Sequence, residues 1–204
     1  MDAKTLQYYD SHGVLLARQY ASADCTALHA LLQEWLPPGG KILEIGCGSG
    51  RDALYMASLG CRVTALDGSA AMVASTRETF SRHSMDPSRV FLSPAPLPPD
   101  HELLSETFDA VVAIALLMHL NNSELAALSS QIAGVLKKGG LFLCSFSSKE
   151  RKKADERLFI QREPREVASL FENAGFRMLS HRETLDGLGR EICWNTMIFS
   201  LDLP

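Results

Sequence analysis

Several features that mark other protein classes are missing from this sequence of 204 residues. Its five cysteines form no C-x-x-C pair, and Cys61, Cys144 and Cys193 sit in apolar runs, which favours free thiols in a reducing compartment over disulfides or zinc. The first residues show no apolar signal segment, and the longest apolar run, Ala110–Met118, is too short to span a bilayer. We therefore expect a cytoplasmic protein with no membrane partner.

Positive charge is also scarce, because 20 Lys and Arg residues face 24 Asp and Glu residues and leave a net charge of −4. Such a balance gives no general attraction for nucleic acid or anionic membranes. The exception is the locally basic segment Lys149–Arg162, which keeps an RNA contact open as an alternative to a solvated loop. No H-E-x-x-H, G-x-S-x-G or clustered His/Cys pattern occurs, so we expect neither a metal site nor a serine nucleophile.

Apolar runs alternate with helical patterns along most of the chain. Strands are predicted at 41–45, 61–66, 89–93, 108–116, 141–146, 176–183 and 194–203, and helices at 51–60, 69–83, 123–138 and 164–175. This alternation predicts an α/β fold with a mostly parallel sheet and helices on both faces, whose last two strands pair antiparallel. The first 36 residues predict two helices. We therefore divide the chain into a helical lid, 1–36, and a core domain, 37–204.

Helix boundaries carry recognisable capping signals. Ser69 is placed to cap the second core helix, and Asn121 with Glu124 resembles a capping box. Pro164 suits the first turn of the last helix.

The most informative stretch follows the first strand and reads E-I-G-C-G-S-G, from Glu44 to Gly50. Glycines at this place let the backbone approach a ligand at the carboxyl edge of the sheet. A nicotinamide fingerprint would be G-x-G-x-x-G, but the third glycine is one position early and Arg51 follows it. A phosphate loop would end in G-K-[ST], which is absent. The spacing therefore favours a nucleoside-like ligand without a pyrophosphate.

Asp67 strengthens this interpretation, because it ends the second strand about twenty residues after the first glycine. A carboxylate there can accept hydrogen bonds from both hydroxyls of a ribose. Glu44 adjoins the turn and is expected either to fix the loop or to meet an ammonium group of the ligand.

Four segments together, LEIGCGSG, VTALDGS, FDAVVAIALLMHL and LKKGGLFLCSF, resemble the class I S-adenosylmethionine-dependent methyltransferases along residues 35–201. The resemblance implies a Rossmann-like seven-stranded sheet of order 3-2-1-4-5-7-6 and S-adenosyl-L-methionine as cofactor. It also implies a set of cofactor contacts at the carboxyl ends of the strands: Glu44, Gly46, Cys47, Gly48, Gly50, Asp67, Gly68, Ser69, Met72, Ala95, Pro96, Ile114 and Ala115.

One departure from the family pattern concerns the adenine. Such enzymes often carry an acidic residue after the third strand, but here no acid occurs before Asp100. Backbone groups near Ala95–Leu97 are expected to contact the adenine amine instead, and Met72 is expected to lie on the face of the adenine ring.

The acceptor end is expected to begin after the fourth strand. His119 is the candidate general base, with a pocket-shaping role or a plain backbone-bonded histidine as alternatives. Tyr8, His12, Tyr20 and Met118 are candidate substrate contacts. The resemblance implies methyl transfer, and the short, acidic chain favours a small-molecule acceptor. The alternatives are an RNA or protein methyltransferase and a non-catalytic cofactor-binding regulator. The sequence defines neither the acceptor atom nor the oligomeric state.

Overall fold

The computed structural model describes residues 1–86, 88–99, 106–148 and 156–202. Within these ranges the chain forms six α-helices and seven strands. The helices are α1 Ala3–Ala21, α2 Thr26–Trp35, α3 Arg51–Ser58, α4 Ala70–Arg82, α5 Asn122–Val135 and α6 Pro164–Asn173. The strands are β1 Lys41–Ile45, β2 Arg62–Asp67, β3 Val90–Pro94, β4 Phe108–Ile114, β5 Leu136–Ser147, β6 Phe176–Leu185 and β7 Cys193–Leu201.

The strands form one sheet of order β3-β2-β1-β4-β5-β7-β6. Strands β1 to β5 pair in parallel, while β7 runs antiparallel to both of its neighbours, β5 and β6. This is the predicted order, and the fold prediction is confirmed. Because β1, β2, β4 and β5 are parallel, their carboxyl ends meet at one edge of the sheet, where ligands bind in open α/β folds.

Both faces of the sheet are buried, as expected for parallel strands covered by helices. Neighbouring residues of β1 alternate between the faces, so that Ile42 and Leu43 join different core clusters although both are completely buried. The cluster that contains Leu43 is rich in phenylalanine, and its Phe142 and Phe171 rings lie 4.5 Å apart. The edge of the sheet that carries the site is therefore supported by buried hydrophobic clusters on both faces.

The capping signals are confirmed. Ser69 Oγ accepts a hydrogen bond from the backbone N–H of Met72, Asn121 and Glu124 form a reciprocal capping box, and Pro164 begins α6. The predicted extension of α5 to residue 138 is wrong. The helix ends at Val135 because Leu136 is already extended and pairs with Phe108 of β4.

The first two helices pack against the core next to the carboxyl edge. Helix α1 approaches α4 so closely that a Cβ on Gly13 would lie 2.6 Å from the Cβ of Ala71. The two helices are also joined through Asp10, whose Oδ1 accepts a hydrogen bond of 2.7 Å from Ser69 Oγ. None of the helices in the described part of the chain combines the length and apolar character needed to cross a bilayer.

Candidate functional site

A cavity of about 210 Å³ opens at the carboxyl edge of the sheet. Its floor is the turn between β1 and α3 together with the ends of β2 and β4. Its walls come from α1, from the corner between α1 and α2, and from the loop between β6 and β7. Segments from the beginning, middle and end of the sequence therefore share one site.

The turn after β1 uses its three glycines for different purposes. All have positive φ angles, of 81° at Gly46, 56° at Gly48 and 75° at Gly50. A Cβ on Gly50 would lie 2.5 Å from the side chain of Thr76, so this glycine is needed for packing. A Cβ on Gly48 would meet no atom within 4 Å, and Gly48 lines the cavity. Gly48 is therefore where the backbone is open to a ligand.

Asp67 is held directly beneath this turn. Its Oδ2 accepts a hydrogen bond of 2.8 Å from the N–H of Gly48, and its Oδ1 accepts one of 2.9 Å from the N–H of Ser69. Burial raises the pKa of the Asp67 carboxyl to about 6, against the lowering effect of these bonds. Each oxygen keeps a further lone pair, so the side chain can still accept two hydroxyl groups.

Other acidic groups lie close to the turn. Glu44 is 2% exposed, its Oε2 has no hydrogen-bond partner among the described residues, and burial raises its pKa well above the ordinary value. Asp52 is also buried, but hydrogen bonds from His29 and Arg51 outweigh burial and lower its pKa. Arg51 donates hydrogen bonds to both carboxylate oxygens of Asp52, at 2.9 and 2.7 Å, and another to the backbone oxygen of Tyr20. Arg51 therefore balances the charge of Asp52 and ties the start of α3 to the end of α1.

The chain is strained where β4 enters the cavity. Ala115 has a φ of 56°, which is rare for a residue with a Cβ, and its N–H is held by the backbone oxygen of Ser145 at 3.0 Å. Such strain persists only where neighbouring contacts enforce it, and it is common at ligand sites.

His119 lies beyond Ala115 and is 3% exposed. Its Nδ1 is 2.7 Å from the backbone oxygen of Leu158, and its Nε2 is 3.0 Å from the hydroxyl of Tyr9. Because a carbonyl can only accept, Nδ1 carries a proton and, in the neutral ring, Nε2 accepts the Tyr9 hydroxyl. Both ring nitrogens of His119 are thus engaged within the protein.

The loop between β6 and β7 is organised by Asp186. Its carboxylate accepts hydrogen bonds from Arg190 at 2.9 and 2.6 Å and from the indole N–H of Trp194 at 2.9 Å, and these outweigh burial and hold its pKa well below the ordinary value. The backbone oxygen of Gly187 accepts a hydrogen bond of 2.9 Å from the N–H of Asp24, at the corner between α1 and α2. The loop thereby closes one side of the cavity.

Comparison with known proteins identifies this architecture. A family model described as a methyltransferase domain matches residues 42–140, which contain the glycine turn, Asp67 and the end of β4. Residues 42–140 belong to this methyltransferase-domain family, in agreement with the class I S-adenosylmethionine-dependent methyltransferases that the sequence resembles.

Individual members of this methyltransferase family are distant. The chain is 30% identical over 123 residues to a ribosomal protein L11 methyltransferase of Acetivibrio thermocellus, a match that covers 60% of this chain and 36% of that protein. It is 32% identical over 116 residues to the S-adenosyl-L-methionine-dependent Diels-Alderase iccD of Talaromyces variabilis, with coverages of 54% and 38%. The chain therefore spans little more than a third of the length of these curated relatives.

A solved methyltransferase shares the fold over nearly the whole chain. The 1,6-didemethyltoxoflavin-N1-methyltransferase of Burkholderia thailandensis superposes with a TM-score of 0.79 at 20% identity, covering 98% of this chain and 88% of that one. At this identity the likeness establishes the fold.

The residues predicted for the methyltransferase site divide into two groups. Those that line the cavity are Tyr20, Gly46, Cys47, Gly48, Asp67, Met72, Ile114, Ala115, Met118 and His119. Those outside its lining are Tyr8, His12, Glu44, Gly50, Gly68, Ser69, Ala95 and Pro96. Several of the second group support the first: Ser69 caps α4 and binds Asp67, and the N–H of Ala95 donates to the backbone oxygen of Asp67.

Sequence reasoning missed part of the cavity wall. Tyr9 lines the cavity, whereas its neighbour Tyr8 stacks on the exposed His12 with ring centroids 4.3 Å apart. Adjacent residues of a helix point about 100° apart, and no motif distinguishes them. Asp186 and Arg190 were also missed, because they reach the site only through tertiary packing.

Proposed function

We propose that this protein transfers the methyl group of S-adenosyl-L-methionine to a small-molecule acceptor. The observation that carries the proposal is the open backbone at Gly48 directly above the buried Asp67 carboxylate. The space beside the Gly48 Cα is open, and the Asp67 carboxylate has lone pairs left to accept hydrogen bonds. Together they form a cradle for a ribose. The methyltransferase family supplies the reaction class. On the side opposite the glycine turn the cavity is lined by side chains, which can contact an acceptor.

The residues present fit the cofactor. Asp67 would accept the ribose hydroxyls, the glycine turn would contact the methionine arm, and Met72 would pack on the adenine. Glu44 lies just before the turn, and its unpartnered Oε2 would be satisfied through water by the ammonium group of the methionine. Ile114 and Ala115 would border the methionine arm from β4.

The chemistry asks little of the protein beyond geometry. S-adenosyl-L-methionine supplies a methyl group on a positively charged sulfur, which is already reactive toward nucleophiles. The protein has to align acceptor and methyl group and exclude water, and such alignment contributes about 7–11 kcal/mol to lowering the barrier. The cavity and the glycine turn, which is hydrogen-bonded to Asp67, would serve that purpose.

We propose that His119 acts at the acceptor end chiefly by positioning. Its Nδ1 is bound to Leu158 and its Nε2 to Tyr9, so it holds the Tyr9 hydroxyl in place at the cavity wall. A role as direct general base would require the Tyr9 contact to break. Tyr20 and Met118 complete the acceptor wall.

A small acceptor is favoured over RNA or protein. Arg157 and Arg162, in the basic segment proposed for RNA, are 9% and 7% exposed and point inward. Arg162 donates to the backbone oxygens of Leu117 and Leu120, which ties it to the protein core. Residues 149–155 of the same segment lie outside the described residues.

We also propose that residues 1–36 act as a partial lid. Helix α1 supplies Tyr9 and Tyr20 to the cavity, and the corner before α2 supplies Asp24 and Cys25. Hydrogen exchange in α1 should therefore slow when cofactor is added. Unchanged exchange there, with slowing confined to the glycine turn, would make the segment a fixed part of the fold.

Calorimetry and methyl labelling test the main proposal. S-adenosyl-L-methionine and its demethylated product should both bind with micromolar dissociation constants, whereas NAD should not. Incubation with methyl-labelled cofactor and cell extract should place the label in the small-molecule fraction. Label in RNA or protein would favour the macromolecular alternative. Tight binding without label transfer would favour a non-methylating role, as the name of the related Diels-Alderase illustrates.

A further inference from the structure

The guanidinium group of Arg157 hydrogen-bonds to two tyrosines of the cavity wall. Nη1 of Arg157 donates to the hydroxyl oxygen of Tyr9 at 3.3 Å and to that of Tyr20 at 3.2 Å. The guanidinium carbon of Arg157 also lies 4.6 Å from the ring centroid of Tyr8 and 5.1 Å from that of Phe159. The cation is therefore buried in an aromatic setting behind the wall, and both hydroxyls in front of it are polarised.

The directions of the hydroxyl hydrogens follow from their partners. Arg157 can only donate, so both tyrosine oxygens accept from it. The hydrogen of Tyr9 is given to Nε2 of His119, whose other nitrogen is fixed by Leu158. The hydroxyl of Tyr20 lies close enough to that of Tyr9 to interact with it. Since Tyr20 lines the cavity, its hydroxyl hydrogen can turn from Tyr9 toward an anionic ligand there, because a charged oxygen is a stronger acceptor than a phenol.

The surroundings keep these groups as donors. Burial, with a further contribution from the neighbouring Tyr20, raises the pKa of the Tyr9 phenol above its ordinary value, so that it stays protonated at neutral pH. Arg190 lies close enough to Tyr20 and Arg157 to interact with both electrostatically. Its partner Asp186 is satisfied by Arg190 itself and by Trp194. Asp186 therefore balances the charge of Arg190, and the acceptor end offers hydroxyl donors that are polarised by Arg157.

Apolar groups occupy the adjacent wall. Leu185, Leu188 and Trp194 of the loop and strand next to Arg190 line the same cavity. Leu185 is 88% exposed, which is unusual for a leucine at the mouth of a cavity. A ligand that contacts both the hydroxyl donors near Arg157 and this apolar wall carries an anionic oxygen on an apolar skeleton.

We propose that the Tyr20 hydroxyl, supported by Arg157 and Tyr9, is the binding subsite for a carboxylate of the acceptor, and that the acceptor is a small apolar organic acid. This assignment rests on the methyltransferase function proposed above. It also explains why His119 has both nitrogens engaged, because a carboxylate arrives already deprotonated and requires no base in order to bind.

Matched pairs of acids and amides test the subsite. Benzoate, phenylacetate and octanoate are compared with benzamide, phenylacetamide and octanamide by ligand-observed NMR on the full chain, with and without S-adenosylhomocysteine. At least one acid should bind roughly tenfold or more tightly than its amide, because the amide lacks the charge that strengthens the hydrogen bond.

Two variants then locate the effect. Tyr20→Phe should abolish the preference for the acid, while Tyr8→Phe, which alters a tyrosine outside the cavity lining, should retain it. Binding of S-adenosylhomocysteine should be unchanged in both variants. Equal affinity for acids and amides, or a preference that survives in Tyr20→Phe, would overturn the subsite.

The same titrations separate this inference from the proposed function. If S-adenosylhomocysteine binds and the acids show no preference, the subsite is wrong and the methyltransferase proposal stands. If the acid preference is present and depends on Tyr20 but S-adenosylhomocysteine does not bind, the subsite is supported and the cofactor assignment fails.

Discussion

The two ends of the cavity are built in different ways. The floor around Gly48 and Asp67 is built mainly from the stretch between β1 and the end of β2, joined by the end of β4, and Asp52 and Asp67 line it together with Arg51. The opposite end is assembled from α1, from residues near Leu158 and from the loop between β6 and β7, and it is rich in donors. One cavity thus joins a local structure to one that exists only after the chain has folded.

This difference also separates backbone recognition from side-chain recognition. At the glycine turn the proposed ligand contact is made by the backbone. That backbone has positive φ angles, which favour glycine, so the sequence identifies the turn. At the other end, side chains such as Tyr9 and Tyr20 meet the ligand, and many sequences can place a hydroxyl there. We therefore expect substitutions at the two ends to act on different ligands.

Gly48→Val should produce the largest effect. A valine there costs about 1–2 kcal/mol in the left-handed region and also places its side chain in the cavity, so cofactor affinity should fall by roughly a hundredfold or more. Calorimetry with S-adenosylhomocysteine measures the loss. Gly39→Val is the matched control, because Gly39 has a φ of 71° with no atom near its Cβ position and does not line the cavity. Equal binding by the two variants would remove Gly48 from the site.

Asp67→Ala should have the next largest effect. It removes a carboxylate that would accept the ribose hydroxyls, and we expect a total loss of about 1.5–3 kcal/mol, the contribution of hydrogen bonding to a charged group. Cofactor affinity should therefore fall roughly 10- to 150-fold. A folded variant that binds the cofactor like wild type would show that the ribose lies elsewhere.

Cofactor affinity should also depend on pH. Burial raises the pKa of Asp67 to about 6, and the ionised carboxylate is the form that accepts two hydroxyls and attracts a cationic ligand. Affinity should thus rise with pH up to about 6 and level off above it, with a slope below that point approaching about tenfold per pH unit. Asp67→Asn cannot ionise and should lose this inflection. Parallel curves for the variant and wild type would assign the pH dependence to another group.

His119→Asn should leave the cofactor end almost unchanged. S-adenosylhomocysteine affinity should stay within about twofold of wild type, because His119 contacts Tyr9 and Leu158 at the other end. A double-mutant cycle with Tyr9→Phe, measured by urea unfolding, should give a coupling free energy of about 0.5–1.5 kcal/mol for the Tyr9–His119 bond. Additive effects would mean that the two side chains act independently.

The contrast explains what the sequence could predict. The sheet order and the caps at Ser69 and Asn121 follow from local patterns and from the family resemblance, and both are confirmed. The end of α5 was misplaced because strand pairing at Leu136 overrode a sequence that is compatible with a helix. Tyr9 was one of several aromatic residues on the predicted N-terminal helices, and no motif separated it from Tyr8. Asp186 gave no signal, because its place at the cavity depends on how distant segments dock.

The bond between Asp24 and Gly187 has a consequence for synthesis of the chain. Its two partners lie near opposite ends of the sequence, and a Cβ on Gly187 would lie only 2.1 Å from the backbone oxygen of Asp24. As the ribosome releases the chain from the amino terminus, the glycine turn and Asp67 emerge long before Gly187 does. The part of the opposite wall that belongs to the loop between β6 and β7 is therefore still missing when the glycine turn and Asp67 have left the ribosome. The last hairpin to emerge completes that wall of the cavity.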